Sequence, residues 1–169
     1  MSVPFPEPTA PAGSRAEVLG RYLDYFRDRV AAKLRELPEG ELRRSRLPSG
    51  WAPLELLKHL TAMERRWLEW GFAGRAVADP WADWRGDRWH VAPEETLDVL
   101  LAEQAGQAER SRAIIADHDL DEAGQPGERW DGAPPATLER VLFHVMQEYA
   151  RHLGQLDIAC ELAGGTPGE

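Results

Sequence analysis

Apolar residues recur at spacings of three and four along four stretches of the chain, which is the period of an amphipathic helix. The predicted helices cover about 14–37, 53–73 and 137–162, with a further helix that begins near Pro93 between the last two. Proline and glycine separate these stretches, and none of them shows the pattern of a parallel sheet. The sequence therefore predicts an all-α fold, an up-and-down four-helix bundle joined by two long loops.

The segments outside the helices differ in composition. Residues 1–13 contain four prolines and predict a tail that is extended or disordered, or that packs loosely on the domain formed by 14–165. The loop 74–92 carries three tryptophans and is expected to fold over the core as a lid or to form a contact surface. The loop 119–135 is acidic and rich in glycine and proline.

Charge and cysteine content exclude several classes of protein. Acidic residues outnumber basic ones by 29 to 20, a net charge of -9, which disfavours nucleic acid as a partner. The single cysteine, Cys160, cannot form an internal disulfide, so a reducing cytoplasm is the expected location. No apolar run approaches the roughly 20 residues of a membrane span, so no membrane partner is expected.

Four side chains suggest metal chemistry. His144, Glu148 and His152 follow one another at intervals of four on the last predicted helix, and each interval turns a helix by only about 40°. Imidazole and carboxylate four residues apart can both bind one divalent ion, and His59 is the inward-facing histidine that a facing helix could add. The spacing leaves two ordinary alternatives open, a hydrogen-bonded core histidine and an exposed Glu–His pair.

Two segments carry a resemblance to a known family. They read SGWAPLELLKHLTAMERRWLEW at 49–70 and TLERVLFHVMQEYARHLGQLDIACELAGG at 137–165. Together they resemble the DinB/YfiT-like superfamily of metal-binding four-helix bundles, in particular the actinobacterial branch similar to mycothiol-dependent maleylpyruvate isomerase. A histidine-leucine step followed by Glu64 and Arg65, combined with the later Glu-x-x-x-His step, makes the resemblance fairly specific.

The resemblance implies a divalent-metal site formed by His59, Glu148 and His152. Zinc is the first expectation for the ion, with nickel, iron or manganese as alternatives. His144 lies one turn before Glu148 and is expected beside the site, where it would bind substrate, move a proton or replace Glu148 as a ligand. Relatives often carry a further histidine where this chain has Gln155, a departure that leaves the three ligands unaffected.

Further roles are predicted from the chemistry and position of residues on the same helices. His144 and Tyr149 are predicted to handle protons, although both also suit a helix core. Arg65 and Arg151 are predicted to bind carboxylates of a thiol cofactor or of the substrate, with ordinary surface salt bridges as the alternative. Cys160 is expected to be a buried, inert thiol.

The predicted function is a divalent-metal-dependent thiol S-transferase or isomerase that uses a low-molecular-weight thiol similar to mycothiol and acts on a small molecule. One alternative is a metal-dependent hydrolase, in which the open metal position activates water. The other is a non-enzymatic module of the same fold that binds a small molecule or dimerises. A homodimer is compatible with all three, although no feature of the sequence demands one.

Overall fold

Helices make up most of the computed structural model, which describes residues 2–167. In chain order the elements are α1 (Arg15–Glu36), α2 (Glu39–Leu42), α3 (Pro53–Arg65), a π-helix (Arg66–Phe72), β1 (Trp84–Arg85), β2 (Arg88–Trp89), α4 (Leu97–Asp117), a 3-10 helix (Glu128–Trp130) and α5 (Leu138–Leu162). The predicted all-α bundle is confirmed, with α1, α3, α4 and α5 as its long helices. Within the described residues the only sheet is the short antiparallel hairpin of β1 and β2.

Ion pairs at both ends fix the relative direction of α1 and α5. Near the start of both helices, Arg15 pairs with Glu139 at 2.8 Å. Towards their ends, Lys33 pairs with Asp157 at 3.1 Å. The two helices therefore run parallel.

The same reasoning applies to α3 and α4. Near the first turns, Lys58 pairs with Glu95 at 2.7 Å. At the other end, Glu69 of the π-helix pairs with Arg110 at 2.9 Å. Because α3 and α4 also run parallel, the chain must return along the length of the bundle between them, and the up-and-down order predicted from the sequence does not hold for this pair. The tryptophan-rich loop 74–92 lies in that return segment.

The second long helix changes its winding after Arg65. Its last seven residues form a π-helix, whose wider turn rotates the side chains relative to an α-helical continuation. The helical spacing of Leu56, Leu60, Met63, Trp67 and Trp70 predicts one buried stripe. Trp67 and Trp70 are only half-buried, whereas Leu68 is fully buried. Arg66 also points into the protein and is 4% exposed. A periodic pattern read at 3.6 residues per turn could not anticipate this rotation.

The start of α4 differs from the sequence prediction. The helix begins at Leu97 rather than near Pro93, because Thr96 is its N-cap and accepts a hydrogen bond from the Val99 amide. Glu95, predicted in the first helical turn, instead bonds the Ala92 amide and pairs with Lys58. The short helix α2 was also not predicted.

The N-terminal segment lies against α1. The ring of Phe5 packs edge-on against Tyr25 with centroids 5.2 Å apart, and the Val3 amide donates to Asp28 at 3.1 Å. Phe5 nevertheless stays 46% exposed, so the contact is shallow. The division into a 1–13 tail and a 14–165 domain stays a prediction, and Met1 lies outside the described residues.

The long helices are apolar on one side only. Their buried faces form one aliphatic core, contributed mainly by leucine from α1, α3 and α5. Across residues 2–167, no helix combines the length and the apolar character needed to cross a membrane.

Candidate metal centre

Three side chains with metal-binding atoms converge between α3 and α5. One nitrogen of His59, one nitrogen of His152 and a carboxylate oxygen of Glu148 all lie within 4.8 Å of one another. His152 Nε2 is 3.2 Å from Glu148 Oε2, and the two imidazole centroids are 5.1 Å apart. The structure thus brings together the three residues that the resemblance implied as ligands, which we call the metal triad.

The outer nitrogen of each triad histidine has a hydrogen-bond acceptor. His59 Nδ1 lies 2.9 Å from Asp83 Oδ2, and His152 Nδ1 lies 2.8 Å from Gln155 Oε1. A carboxylate and an amide oxygen are acceptors, so these contacts favour the tautomer with the proton on Nδ1 and a lone pair on Nε2. Partners of this kind orient metal-binding histidines in other proteins. Both rings are therefore fixed with a lone pair free for a cation.

Burial and hydrogen bonds from Arg66 fix the position of Asp83. Its side chain is 1% exposed, and Arg66 donates to Oδ1 at 2.5 Å and to Oδ2 at 3.2 Å. Burial by itself would raise the pKa of the Asp83 carboxyl, but the hydrogen bonds from His59 and Arg66 outweigh burial and hold that pKa below its usual range. Asp83 is therefore ionised at neutral pH and accepts from His59.

The tryptophan-rich loop folds over the triad. Trp89 stacks on the His59 ring with centroids 4.3 Å apart and an interplanar angle of 20°. Trp84, its partner across the hairpin, forms with Trp89 part of the wall of a cavity of about 210 Å³ that reaches His59 and Asp83. The same two tryptophans border a second cavity of about 340 Å³. The loop thus supplies both the residue that orients His59 and the walls around it.

Comparison with known families agrees with this geometry. A family model described as Mycothiol-S-transferase matches residues 18–165, which include the whole metal triad. The chain belongs to the mycothiol S-transferase family. This family is part of the DinB/YfiT-like superfamily, so the resemblance noted in the sequence is confirmed. No curated protein matches the chain.

In this member of the mycothiol S-transferase family, the three triad residues form a donor set that suits a divalent cation. Two imidazoles and one carboxylate are a usual donor set for an open zinc site and leave room for a further ligand. His152 Nε2 approaches Glu148 Oε2 to 3.2 Å, a contact that either a shared proton or a bound cation satisfies. Burial, opposed by the Gln155 hydrogen bond, holds the pKa of His152 below its ordinary value. These observations are compatible with a divalent metal.

Two of the residues predicted around the site occupy different environments on α5. His144 packs its ring against Trp67, with centroids 4.5 Å apart. Tyr149 is fully buried, and its hydroxyl donates to Glu64 at 2.8 Å. Burial and the neighbouring Glu64 charge raise the pKa of Tyr149 well above its ordinary value. The roles of both residues in proton transfer stay predictions.

The two arginines predicted to bind carboxylates lie apart from the triad contacts. Arg65 is half-buried, and its Nε donates to Oε1 of the buried Gln107 at 3.4 Å. Arg151 is exposed on α5. Their predicted role in cofactor binding is not tested by these contacts.

A second polar cluster, fully enclosed, connects the four long helices. Glu64 is 0% exposed and accepts from Arg27 Nη2 at 2.5 Å and Nε at 3.2 Å. Ser111 and Tyr149 donate to the same carboxylate. We call Arg27, Glu64, Ser111 and Tyr149 the Glu64 cluster. Its carboxylate has donors on both oxygens, so it has the character of a structural ion pair.

Sequence reasoning missed the residues that orient the triad. Gln155 lies three residues after His152 on one helix, a spacing that places side chains side by side and could have identified it. Asp83 lies in a loop without periodicity, so no pattern connected it to His59. Arg66 was also missed, because the π-helix rotates its side chain inward and helical periodicity does not predict that rotation.

Proposed function

We propose that this protein is a divalent-metal-dependent thiol S-transferase that joins a mycothiol-like thiol to a small electrophilic molecule. Family membership supports the thiol transferase class. The geometric observation that carries the metal dependence is the convergence of three donor atoms within 4.8 Å, with both histidines oriented by outer partners. Zinc is the ion that we expect first from this donor set.

The triad residues would hold the ion, and the surrounding loop would limit access of water. A divalent cation at an open site stabilises a thiolate relative to its thiol, which makes a weak nucleophile reactive at neutral pH. Glu148 would offset part of the cation's charge. Asp83 and Gln155 keep His59 and His152 in the orientation that binding requires.

The proposed transfer forms one sulfur–carbon bond and breaks one bond between carbon and a leaving group. The thiol loses its proton, its sulfur forms a bond to an electrophilic carbon, and a leaving group such as chloride departs with the bonding electrons. His144 is the candidate to accept the proton, since it lies on α5 one turn before Glu148. We expect this reaction to run in the cytoplasm, where low-molecular-weight thiols are kept reduced.

The proposal is tested by measuring transfer of mycothiol to monochlorobimane, whose thiol adduct is fluorescent. Zinc-loaded wild-type protein should form the adduct faster than the uncatalysed reaction. His59→Ala should lose at least about a hundredfold of that rate, because removing one ligand destabilises the bound ion. Arg112→Gln, on the exposed side of α4, is the matched control and should keep the wild-type rate.

Other outcomes would redirect the assignment. No metal-dependent adduct formation with either mycothiol or another small thiol would contradict the transferase proposal. Thiol-independent ester or amide hydrolysis that is lost in His59→Ala would instead support the hydrolase alternative.

A further inference from the structure

Arg129 occupies a specific position in the second long loop. It lies in the 3-10 helix Glu128–Trp130, and its guanidinium packs over the face of Trp67 at 3.8 Å from the ring centroid. Gly71 permits this approach, because a Cβ there would lie 3.3 Å from Arg129 Cγ and 3.1 Å from the Arg66 carbonyl oxygen. The π-helix and the loop thus form a fitted seat for one arginine.

The guanidinium in this seat has no acidic partner. Its Nε is buried and makes no hydrogen bond, and no ion pair to Arg129 exists within residues 2–167. The other arginines that the π-helix and α1 bury differ, since Arg27 pairs with Glu64 and Arg66 with Asp83. The cation-π contact with Trp67 compensates part of the charge but satisfies no N–H donor.

The electrostatic environment of Arg129 also lacks a counter-charge. Burial, and next the nearby Arg66, hold the pKa of Arg129 below its ordinary value. Burying unpaired donors and placing two cations close together both cost free energy. An anion at the exposed part of the guanidinium would supply the missing counter-charge.

Trp67, beneath Arg129, also contacts His144. His144 and His152 are eight residues apart on α5, which is about 12 Å along a helix. Arg129 thus lies beside the Trp67–His144 contact, and the triad residues Glu148 and His152 follow about one and two turns later on α5.

We propose that Arg129 binds a carboxylate of the small molecule on which the protein acts. The guanidinium of this half-buried side chain offers its two Nη groups as a fork that matches the two oxygens of a carboxylate, while the buried Nε is out of a ligand's reach. Only the statement that this ligand is a substrate rests on the proposed transferase function. The binding of a carboxylate at Arg129 does not depend on it.

Equilibrium binding tests the assignment without any catalytic assay. Cyclohexanecarboxylate and its neutral carboxamide are matched probes that do not absorb where tryptophan is excited. Trp67 and Trp130 lie beside Arg129, so binding should change the tryptophan fluorescence. Wild-type protein should bind the carboxylate at least about tenfold more tightly than the carboxamide, the size expected of a charge-assisted contact.

Variants of Arg129 and of His59 show whether the carboxylate binds at Arg129 or at the metal triad. Arg129→Gln should weaken carboxylate binding at least about tenfold, and Arg129→Lys should give an intermediate affinity. His59→Ala should keep the wild-type affinity, and so should the control Arg112→Gln. Thermal melts and circular dichroism confirm that each variant is folded. Arg129→Lys keeps the test decisive if the glutamine variant is unstable.

Three results would overturn the assignment: equal affinity for carboxylate and carboxamide, an unchanged affinity in Arg129→Gln, or a loss of binding in His59→Ala alone. The last result would place the carboxylate on the metal. Where the assignment holds, adding mycothiol identifies the source of the group. Competition with the probe assigns Arg129 to the thiol, whereas simultaneous binding assigns it to the acceptor molecule. A transferase assay that fails leaves this binding result unaffected.

Discussion

The buried Glu64 cluster and the partly buried metal triad both draw on α3 and α5, and they are built in opposite ways. In the Glu64 cluster, the carboxylate receives donors from Arg27, Ser111 and Tyr149. In the metal triad, the histidine protons are turned outward to Asp83 and Gln155, and the acceptor atoms converge without a donor between them. A closed cluster of the first kind stabilises the fold, whereas the second is suited to bind a cation. His59 and Glu64 are only five residues apart, so the difference arises from the partners that each helix meets.

The largest expected effect comes from opening the closed cluster. Glu64→Ala leaves the Arg27 guanidinium buried without its main counter-charge, since Asp24 is then its remaining acidic partner. We expect the free energy of unfolding to fall by about 3–5 kcal/mol, measured by urea denaturation. Glu109→Ala, an exposed acid on α4, is the control and should change stability by less than about 0.5 kcal/mol. An equally small loss for Glu64→Ala would contradict the structural role of the cluster.

The next effect comes from the residue that orients His59. Asp83→Asn removes the carboxylate that accepts from His59 Nδ1 while keeping the size of the side chain. Zinc affinity should fall about 10- to 100-fold, as for other outer partners of metal ligands. A competition titration with a fluorescent chelator measures this change. Asp98→Asn, an exposed position in the first turn of α4, should leave zinc affinity unchanged.

These two substitutions also show what the sequence could and could not predict. His59, Glu148 and His152 were predictable because they lie in regular helices, where spacing determines direction. Asp83 and Trp89 reach the site from a loop, and only the parallel course of α3 and α4 brings that loop back over His59. A sequence pattern describes the faces of helices, but it does not give the path of a long connection.

The π-helix marks the second limit of prediction from sequence. Periodicity placed Trp67 and Trp70 on the buried stripe, yet the changed winding buries Arg66 and Leu68 instead. Arg66 then holds Asp83, and Trp67 becomes the surface on which Arg129 packs. The residues that support the candidate site were thus missed where the helix departs from 3.6 residues per turn.

A smaller effect is expected at Tyr149. The sequence analysis assigned this residue to proton transfer, whereas the structure places it in the Glu64 cluster. Tyr149→Phe removes one hydrogen bond to Glu64 and should lower the free energy of unfolding by about 1–2 kcal/mol. Because the hydroxyl is buried on Glu64, we expect the transfer rate with mycothiol to stay within about threefold of wild type. A rate loss of about a hundredfold or more, the usual effect of removing an acid-base group, would instead establish the catalytic role.

The smallest effect is expected at Cys160, which lies outside both clusters. Burial, opposed by the charge of Lys33, raises the pKa of this thiol to about 11. At about pH 8 only about one thiol in a thousand would be ionised, so alkylation by iodoacetamide should be slow and should rise about tenfold per pH unit below that pKa. Cys160→Ser should leave the transfer rate unchanged. Rapid alkylation of the folded protein near neutral pH would contradict the buried, inert assignment.

The central claim is that the metal triad binds one divalent ion, and elemental analysis of protein purified without a histidine tag or chelator tests it most directly. The account predicts close to one equivalent of metal per chain in the wild type, and its loss in His59→Ala, Glu148→Ala and His152→Ala with their helical content intact. A wild-type protein that neither retains a divalent ion nor takes one up on addition of zinc would contradict the account. The triad would then be a polar cluster with a non-metal role.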